Sequence, residues 1–394
     1  MKSFNRRSFL KLSSATAAAT MIPHRGFAWT RKEKADLKIH QNTVNFIWDG
    51  LGLTQLEYAY LYQKLADSSK ITPDYYSLGG SVEELENKMA DVLGKESAIF
   101  MPTGTLANHI AIRKLAGVKK RAAVQAESHI YRDSGDCLQT LSGVTLVPLC
   151  PDQTMFTLAD VEKTINRIAA NRVMTGLGAI SIESPVRRKM NEMFDYDEMI
   201  KITTFVRERG IGCHLDGARI FCASAKTGIA PKEFASHFDT VYVSMWKNFN
   251  APSGAILAGT KKFTENLYHT RRMFGGGLPQ AWPFAAVALH YVDSFLNEYT
   301  KAWQTIEKLN AAMEKLEGVK AEKIPRGTSV YKLTISKGDL YILRSFLKNH
   351  YIDLPRPAKA LPGFYMRVNP SINRMNAEDL VQAFIDAWKA AQAG

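Results

Sequence analysis

The sequence of 394 residues has few cysteines and no long apolar run. Its four cysteines, Cys137, Cys150, Cys213 and Cys222, form no CxxC motif. In a chain of this length they predict free thiols in the core rather than a disulfide framework. No stretch reaches the roughly 18 consecutive apolar residues that a transmembrane helix needs. These absences predict a globular protein without a stable membrane anchor, stabilised by a large hydrophobic core.

The sequence also lacks a concentrated basic patch, although its formal net charge is +13. Five of the cations lie within the first 28 residues, which leaves about +8 on the rest of the chain. We find no basic helix and no sheet motif that mixes aromatic and basic residues, so we expect no nucleic-acid partner. The dispersed positive charge suits a small anionic ligand.

Residues 1–28 are predicted to be an export signal rather than part of the fold. The segment Asn5–Lys11 reads NRRSFLK, a twin-arginine pattern, and Leu12–Ile22 is a mildly apolar run rich in Ala, Ser and Thr. A cleavage site is predicted after Ala28. The alternative is a basic arm that carries no signal. The signal predicts a periplasmic or secreted protein that is exported by the twin-arginine route.

Strands and helices are predicted to alternate along the rest of the chain. This βαβ alternation predicts an α/β fold with a largely parallel sheet and helices on both faces. Ligands of such sheets lie outside the carboxyl ends of the strands. A capping box that starts at Ser81 and a glycine stop at Gly94 predict a helix before the first strand. The predicted strands are Ser97–Met101, Ala122–Ala126, Val144–Leu149, Leu177–Glu183, Gly212–Leu215, Thr240–Met245 and Ala255–Ala258, and the helices between them include Leu106–Leu115, Thr157–Ala170 and Tyr196–Arg209.

Two residues at predicted strand ends carry reactive groups. Lys247 directly follows the apolar run VYVSMW, and Asp216 directly follows IGCHL. A lysine amine can form an imine with the aldehyde of pyridoxal phosphate, and a carboxylate can pair with the pyridine nitrogen and keep it protonated. The alternative is an ordinary surface lysine and a turn aspartate. The pair is therefore interpreted together with its sequence neighbours.

Those neighbours resemble a known family. HLDGARIF, WKNFNAPSGAILAG and RRMFGGGLPQA resemble the threonine aldolase and aromatic amino acid beta-eliminating lyase family, which consists of fold-type-I, aspartate-aminotransferase-like pyridoxal phosphate enzymes. The resemblance runs from about Leu37 to the C-terminus. It implies a PLP-dependent transferase-like fold with a large, mostly parallel domain at residues 37–285 and a small α/β domain at residues 286–394.

The resemblance also assigns candidate cofactor ligands. Gly104, Thr105 and Leu106 form a turn between a strand and a helix, where free N–H groups can bind a phosphate, although such a turn can also be purely structural. The resemblance places His129 over the pyridine ring; the alternative is a core histidine. Ser244 is a candidate hydrogen-bond partner for the phosphate or for the lysine.

Two arginines are candidates for the charged parts of the ligands. The resemblance implies that Arg219 lies near the cofactor, where it supports Asp216 or reaches the phosphate. It implies that Arg367 binds the substrate carboxylate, because a guanidinium pairs with a carboxylate through two hydrogen bonds. For each arginine the alternative is a surface position.

The sequence departs from the family at substrate positions. Gln41 stands where a serine is expected, Pro185 and Val186 where a histidine is expected near the substrate hydroxyl, and Pro279 where an arginine reaches a neighbouring subunit. The resemblance implies a lyase that cleaves a β-hydroxy-α-amino acid to glycine and an aldehyde, as a homodimer or homotetramer without a metal. The alternatives are β-elimination or other α-carbon chemistry, or a binding protein that keeps the fold without turnover.

Overall fold

The computed structural model describes residues 30–173 and 175–393, so the predicted export signal lies outside the described residues. The strands within that part of the chain are β1 (Val44–Asn45), β2 (Ser97–Met101), β3 (Arg121–Gln125), β4 (Thr145–Leu149), β5 (Ala179–Glu183), β6 (Gly212–Asp216), β7 (Thr240–Ser244), β8 (Ala255–Gly259), β9 (Val319–Lys323), β10 (Val330–Ile335), β11 (Ile352–Asp353) and β12 (Gly363–Arg367).

The helices connect these strands in the alternating order that the sequence predicts. They are α1 (Arg31–Asn42), α2 (Gln55–Asp67), α3 (Gly80–Leu93), α4 (Gly104–Ala116), α5 (His129–Arg132), α6 (Cys137–Ser142), α7 (Leu158–Ala169), α8 (Tyr196–Arg207), α9 (Ile220–Thr227), α10 (Pro231–Ser236), α11 (Lys261–Thr264), α12 (Leu267–Met273), α13 (Trp282–Val292), α14 (Phe295–Met313), α15 (Leu340–Asn349) and α16 (Ala377–Ala393), with 3₁₀ turns at Gly117–Lys119, Arg187–Lys189 and Pro370–Arg374.

A seven-stranded sheet forms the centre of the fold. Its strand order is β2-β8-β7-β6-β5-β3-β4, and β8 alone of the seven runs against its neighbours. Every residue of β5, β7 and β8 is buried. Such continuous apolar strands are typical of a parallel sheet that is covered by helices on both faces. The predicted α/β class and mostly parallel sheet are therefore confirmed.

A second hydrophobic core lies under a three-stranded antiparallel sheet of order β12-β10-β9. Two helices, α13 and α14, precede this sheet in the chain. Helix α14 contributes to both cores: Phe295 and Tyr299 pack in the first, Ile306 and Leu309 in the second. The second core also includes Val44, because β1 pairs in parallel with β11. The N-terminal segment of the chain therefore also packs in the second core, with the C-terminal strands.

The capping box predicted at Ser81, at the start of α3, is wrong. The helix α3 begins at Gly80 with Gly79 as N-cap, and the hydroxyl of Ser81 accepts the N–H of Thr72 at 3.0 Å instead of capping the helix. The turn before α3 needs positive φ at both glycines, 77° and 57°, which favours glycine over a capping serine. The helix predicted at Thr157–Ala170 does start where predicted, since Thr157 is the N-cap of α7 and forms a capping box with Asp160.

The four cysteines carry free thiols, as predicted, but only Cys213 and Cys222 are buried in the core, whereas Cys137 and Cys150 are half-buried. In the part of the chain that the structure describes, no helix combines the length and apolar character needed to cross a membrane.

Candidate active site

A cavity of about 390 Å³ opens at the carboxyl ends of β5, β6 and β7, beside the N-terminus of α4. Six of the residues predicted for the site line it: Gly104, Thr105, His129, Asp216, Arg219 and Lys247. The other lining residues are Thr103, Glu183, Arg187, Ala218, Tyr242, Trp246 and Ser253. The three remaining predicted residues, Leu106, Ser244 and Arg367, do not line this cavity.

Lys247 lies in the turn after β7 and is only 8% exposed. Burial, assisted by the positive charge of Arg219, lowers the pKa of the Lys247 amine to about 8. At pH 7 roughly a tenth of this amine is therefore neutral, far more than for an ordinary lysine, and the neutral amine is the form that attacks an aldehyde.

Asp216 is the last residue of β6 and is held by neutral donors. The side-chain amide of Asn108 donates to Asp216 Oδ2 at 2.6 Å, and the N–H of Ala218 donates to Oδ1 at 3.2 Å. Behind Asn108 lies His214, whose Nε2 is 2.8 Å from Asn108 Oδ1 and whose Nδ1 is 2.8 Å from the Thr240 hydroxyl. Asn108 was not predicted from the sequence, because it lies mid-helix on α4 without a motif of its own.

The N-terminus of α4 faces the same cavity. Thr103 is its N-cap, and the Thr103 hydroxyl accepts the N–H of Leu106 at 3.2 Å. The Leu106 N–H, which was predicted to bind the phosphate, is therefore already hydrogen-bonded to Thr103. The N–H groups of Gly104 and Thr105 belong to the first turn, where helix geometry offers no intrahelical acceptor. A Cβ at position 104 would overlap the hydroxyl of Tyr242. Glycine therefore keeps this anion-binding end of the helix open.

His129 begins α5, at the end of the turn after β3. Its ring Nδ1 is 3.2 Å from the Ser134 hydroxyl, and its backbone N–H donates to Glu183 Oε2 at 2.6 Å. Burial lowers the pKa of His129, so its ring is neutral near neutral pH. Glu183 was missed in the sequence as a site residue; its position at the end of a buried strand beside Asp216 was the available signal. Burial and the charge of Asp216 raise the pKa of Glu183.

Arg219 and Arg367 both bind the carboxylate of Asp49, which was not predicted from the sequence. Arg219 donates to both oxygens of Asp49, at 3.0 and 2.7 Å, and Arg367 donates to Asp49 Oδ1 at 2.8 Å. Although burial opposes it, the Arg219 guanidinium holds the pKa of Asp49 well below its usual range. Arg219 therefore lies at the cavity as predicted, but its hydrogen bonds go to Asp49 and not to Asp216.

The N-terminal segment reaches the site through a different residue from the one predicted. Gln41 is exposed on α1 and lines no part of the cavity. The segment comes to the site eight positions later, where Asp49 meets the arginines and the neighbouring Trp48 is 55% exposed. Trp48 lines a second cavity of about 250 Å³, which shares Trp246 with the first.

Val186 and Pro279, two more positions where the sequence departs from the family, do not reach the cavity. Val186 is fully buried, and the side chain that reaches the cavity from this turn is Arg187, which donates to Asp133 Oδ2 at 2.6 Å. Although partial burial opposes it, hydrogen bonds from Arg188 and Arg187 lower the pKa of Asp133 to about 2. Pro279 does not line the cavity, and its carbonyl accepts the N–H of Tyr76 at 2.9 Å.

Comparison with known proteins agrees with this geometry. Residues 72–332 match the family model of the beta-eliminating lyases. The chain is 32% identical over 217 residues to a low-specificity L-threonine aldolase of Candida albicans, covering 54% of this chain and 57% of that protein. It is 30% identical over 212 residues to the low specificity L-threonine aldolase of Saccharomyces cerevisiae, covering 53% of this chain and 54% of that protein. The chain thus spans little more than half the length of these two curated relatives.

A solved structure extends the similarity over nearly the whole chain. A candidate L-allo-threonine aldolase from Listeria monocytogenes superposes with a TM-score of 0.73 at 25% identity. The superposition covers 91% of this chain and 99% of the Listeria chain.

Proposed function

The chain belongs to the beta-eliminating lyase family, and we propose that it is a pyridoxal phosphate-dependent lyase that cleaves a β-hydroxy-α-amino acid of the threonine type to glycine and an aldehyde. The observation that carries the proposal is the meeting of Lys247, Asp216 and the open N-terminus of α4 in one cavity. An amine, a carboxylate and an anion site in one place match the aldehyde, the ring nitrogen and the phosphate of this cofactor.

The residues at the site fit the cofactor in chemistry. Lys247 would hold the aldehyde carbon, Asp216 would keep the ring nitrogen protonated, and the N–H groups of Gly104 and Thr105 would bind the phosphate. The glycine at 104 supports this fit, since a larger side chain would close the anion site. When bound, pyridoxal phosphate supplies an electron-accepting ring that stabilises negative charge at the α-carbon of an amino acid.

Arg219 and Arg367 would bind the substrate carboxylate. Asp49 holds the two guanidinium groups side by side, and Arg367 remains 28% exposed in its side chain, so it is accessible to a ligand. Paired guanidinium groups bind a carboxylate through charge-assisted hydrogen bonds. This clamp would orient the α-carbon toward Lys247, which lines the same cavity as Arg219.

His129 is the candidate base for the β-hydroxyl. Cleavage of the Cα–Cβ bond requires removal of the hydroxyl proton. Val186, at the position of the family histidine, cannot accept a proton, whereas the neutral ring of His129 lines the cavity. The Ser134 hydroxyl donates to the His129 carbonyl oxygen at 3.1 Å, so its oxygen can accept Nδ1–H of His129. In that tautomer Nε2 has no hydrogen and would accept the proton.

The test is a product analysis of the purified protein loaded with pyridoxal phosphate. The panel contains L-threonine, L-allo-threonine and β-phenylserine; the last is included because Trp48 and Trp246 line an aromatic cavity beside the site. Equal amounts of aldehyde and glycine support the proposal. A 2-oxo acid with ammonia would establish elimination instead, and biological activity that persists in Lys247→Ala would indicate a binding protein.

We further propose that the protein is exported by the twin-arginine route. The proposal rests on the paired arginines Arg6 and Arg7 and on the apolar run after them. Changing both arginines to lysine should move the protein from the periplasmic or secreted fraction to the cytoplasm. Unchanged fractionation of the double variant would contradict export by this route.

We also propose a homodimer or homotetramer. Exposed apolar side chains support it: Tyr75 is 74%, Leu78 52% and Met273 65% exposed. Tyr75 and Leu78 lie on the loop before α3, Met273 ends α12, and Arg272 of α12 stacks on Tyr76 of that loop. Light scattering should give a mass of two or four chains, and Leu78→Asp should lower it. A monomeric wild-type protein would contradict the proposal.

A further inference from the structure

A line of buried polar groups runs from Asp216 away from the cavity. Asn108 on α4 contacts Asp216, His214 on β6 contacts Asn108, and Thr240 on β7 contacts His214. Asn108 is 1% exposed, and His214 and Thr240 are 0% exposed. We propose that Asn108 and His214 are positioning residues that hold Asp216 in place as an ionised partner for the cofactor ring nitrogen. The inference rests on the proposed cofactor site.

The fold accounts for how these groups come together. His214 and Asp216 are two residues apart on β6, so their side chains point to the same face of the sheet. His214 and Thr240 are paired residues of the neighbouring parallel strands. Asn108 lies four residues after Gly104 on α4, about one turn from the anion-binding end. One helix therefore sets both the phosphate site and the donor to Asp216.

The chemistry of the groups allows one arrangement of hydrogens. An ionised Asp216 only accepts, so the nitrogen of the Asn108 amide must face it and the oxygen must face His214. His214 Nε2 must then carry a hydrogen, and Nδ1 accepts the hydroxyl hydrogen of Thr240. The orientation of the amide and the ionisation of Asp216 are thus linked.

All the groups that hold Asp216 are neutral. Burial lowers the pKa of His214 to about 4, so it is uncharged near neutral pH. Among the described residues, Arg219 and Arg367 pair with Asp49, Arg187 pairs with Asp133, and no arginine or lysine forms an ion pair with Asp216. Besides His214, the ionisable groups that interact with Asp216 include Glu183, His129, Tyr242 and Lys247. Asp216 is therefore fixed in position while its charge stays available to a ring nitrogen.

The test uses the full-length protein loaded with pyridoxal phosphate labelled with ¹⁵N in the ring. Asn108→Leu removes the donor to Asp216 at similar volume, and His214→Leu removes the donor to Asn108. His214→Gln is the matched control, because its amide can still donate to Asn108. The readouts are the ¹⁵N shift of the ring nitrogen, which reports its protonation, and the dissociation constant of the cofactor.

We expect both leucine variants to move the ¹⁵N shift toward the unprotonated ring and to weaken cofactor binding by about ten- to a hundredfold, the worth of one hydrogen bond to a charged group. His214→Gln should restore both readouts toward the wild-type values. If His214→Leu fails to fold, Thr240→Val and Thr240→Ser test the same series of hydrogen bonds, because only serine keeps the hydroxyl that contacts His214. We then expect a changed ¹⁵N shift and weaker cofactor binding for Thr240→Val only.

Two outcomes would overturn the inference, and they differ. A wild-type protein that binds no pyridoxal phosphate would overturn the proposed function together with this assignment. A wild-type protein that binds it with a protonated ring, while folded Asn108→Leu shows the same shift and affinity, would overturn the assignment alone.

Discussion

Asp49 and Arg367 are 318 positions apart in the chain, yet Arg367 Nη1 donates to Asp49 Oδ1 at 2.8 Å. Asp49 comes from the N-terminal segment and Arg367 ends β12 in the C-terminal sheet. Arg219, which follows β6, binds the same carboxylate. One acid, with 10% of its side chain exposed, therefore joins the N-terminal segment, the turn after β6 and the C-terminal sheet through the two arginines.

Asp49→Asn should weaken substrate binding more than it slows turnover. The variant loses the charge that aligns Arg219 and Arg367, so we expect KM to rise by about tenfold or more and the free energy of unfolding to fall by about 3 kcal/mol, as when one partner of a buried ion pair is removed. Steady-state kinetics and denaturant unfolding measure the two effects. Glu307→Gln, which breaks an exposed pair with Lys323, is the control and should change neither. An unaltered KM would rule out the clamp.

Capture of pyridoxal phosphate by the cofactor-free protein should depend on pH through Lys247. Its pKa is lowered to about 8 from an ordinary value near 10.5, and only the neutral amine attacks the aldehyde. The capture rate should therefore rise with pH up to about 8 and level off above it. Stopped-flow absorbance follows the reaction. A rate that keeps rising to about pH 10 would indicate an ordinary solvent-exposed lysine.

Gly104→Ala should reduce cofactor affinity by about tenfold or more. The added methyl group overlaps the Tyr242 hydroxyl and pushes against the end of α4 that is proposed to bind the phosphate. Fluorescence titration with pyridoxal phosphate measures the loss. Gly176→Ala is a suitable control, because its Cβ would meet only Lys119 at ordinary contact distance, 3.6 Å. Equal affinities for the two variants would place the phosphate elsewhere.

His129→Phe should separate cofactor binding from proton transfer. Phenylalanine keeps a flat ring but has no proton acceptor, so we expect the cofactor absorbance to be retained and kcat to fall by about a hundredfold or more. His129→Ala should lose both. Should His129→Phe turn over at the wild-type rate, the β-hydroxyl proton must go to another acceptor.

The residues that sequence reasoning brought to the site share one property: each follows a recognisable strand or turn. Lys247, Asp216, His129 and Gly104 come together because a βαβ chain places the carboxyl ends of its strands at one edge of the sheet. This rule needs only the positions of the strands, which local sequence patterns indicate. Such a pattern predicted the strand Ser97–Met101 with the bounds that the structure has.

The residues that were missed are brought in by tertiary contacts. Asp49 lies in a loop and meets Arg219 across 170 positions, so no periodic pattern marks it. Asn108 lies within a helix, between Ala107 and His109, where a single amide is not distinctive. The cap predicted at Ser81 failed because the glycines before it start the helix earlier. Backbone pattern predicts strand ends, whereas hydrogen-bond partners depend on the packed fold.

Borohydride reduction of the protein loaded with pyridoxal phosphate, followed by peptide mass spectrometry, tests the central claim most directly. Reduction fixes the cofactor to the nitrogen that binds its aldehyde. We predict one phosphopyridoxyl group per chain, on the peptide that contains Lys247, and none in Lys247→Ala. Labelling of a different lysine, or no labelling of the wild-type protein, would contradict the assignment of this cavity as the active site.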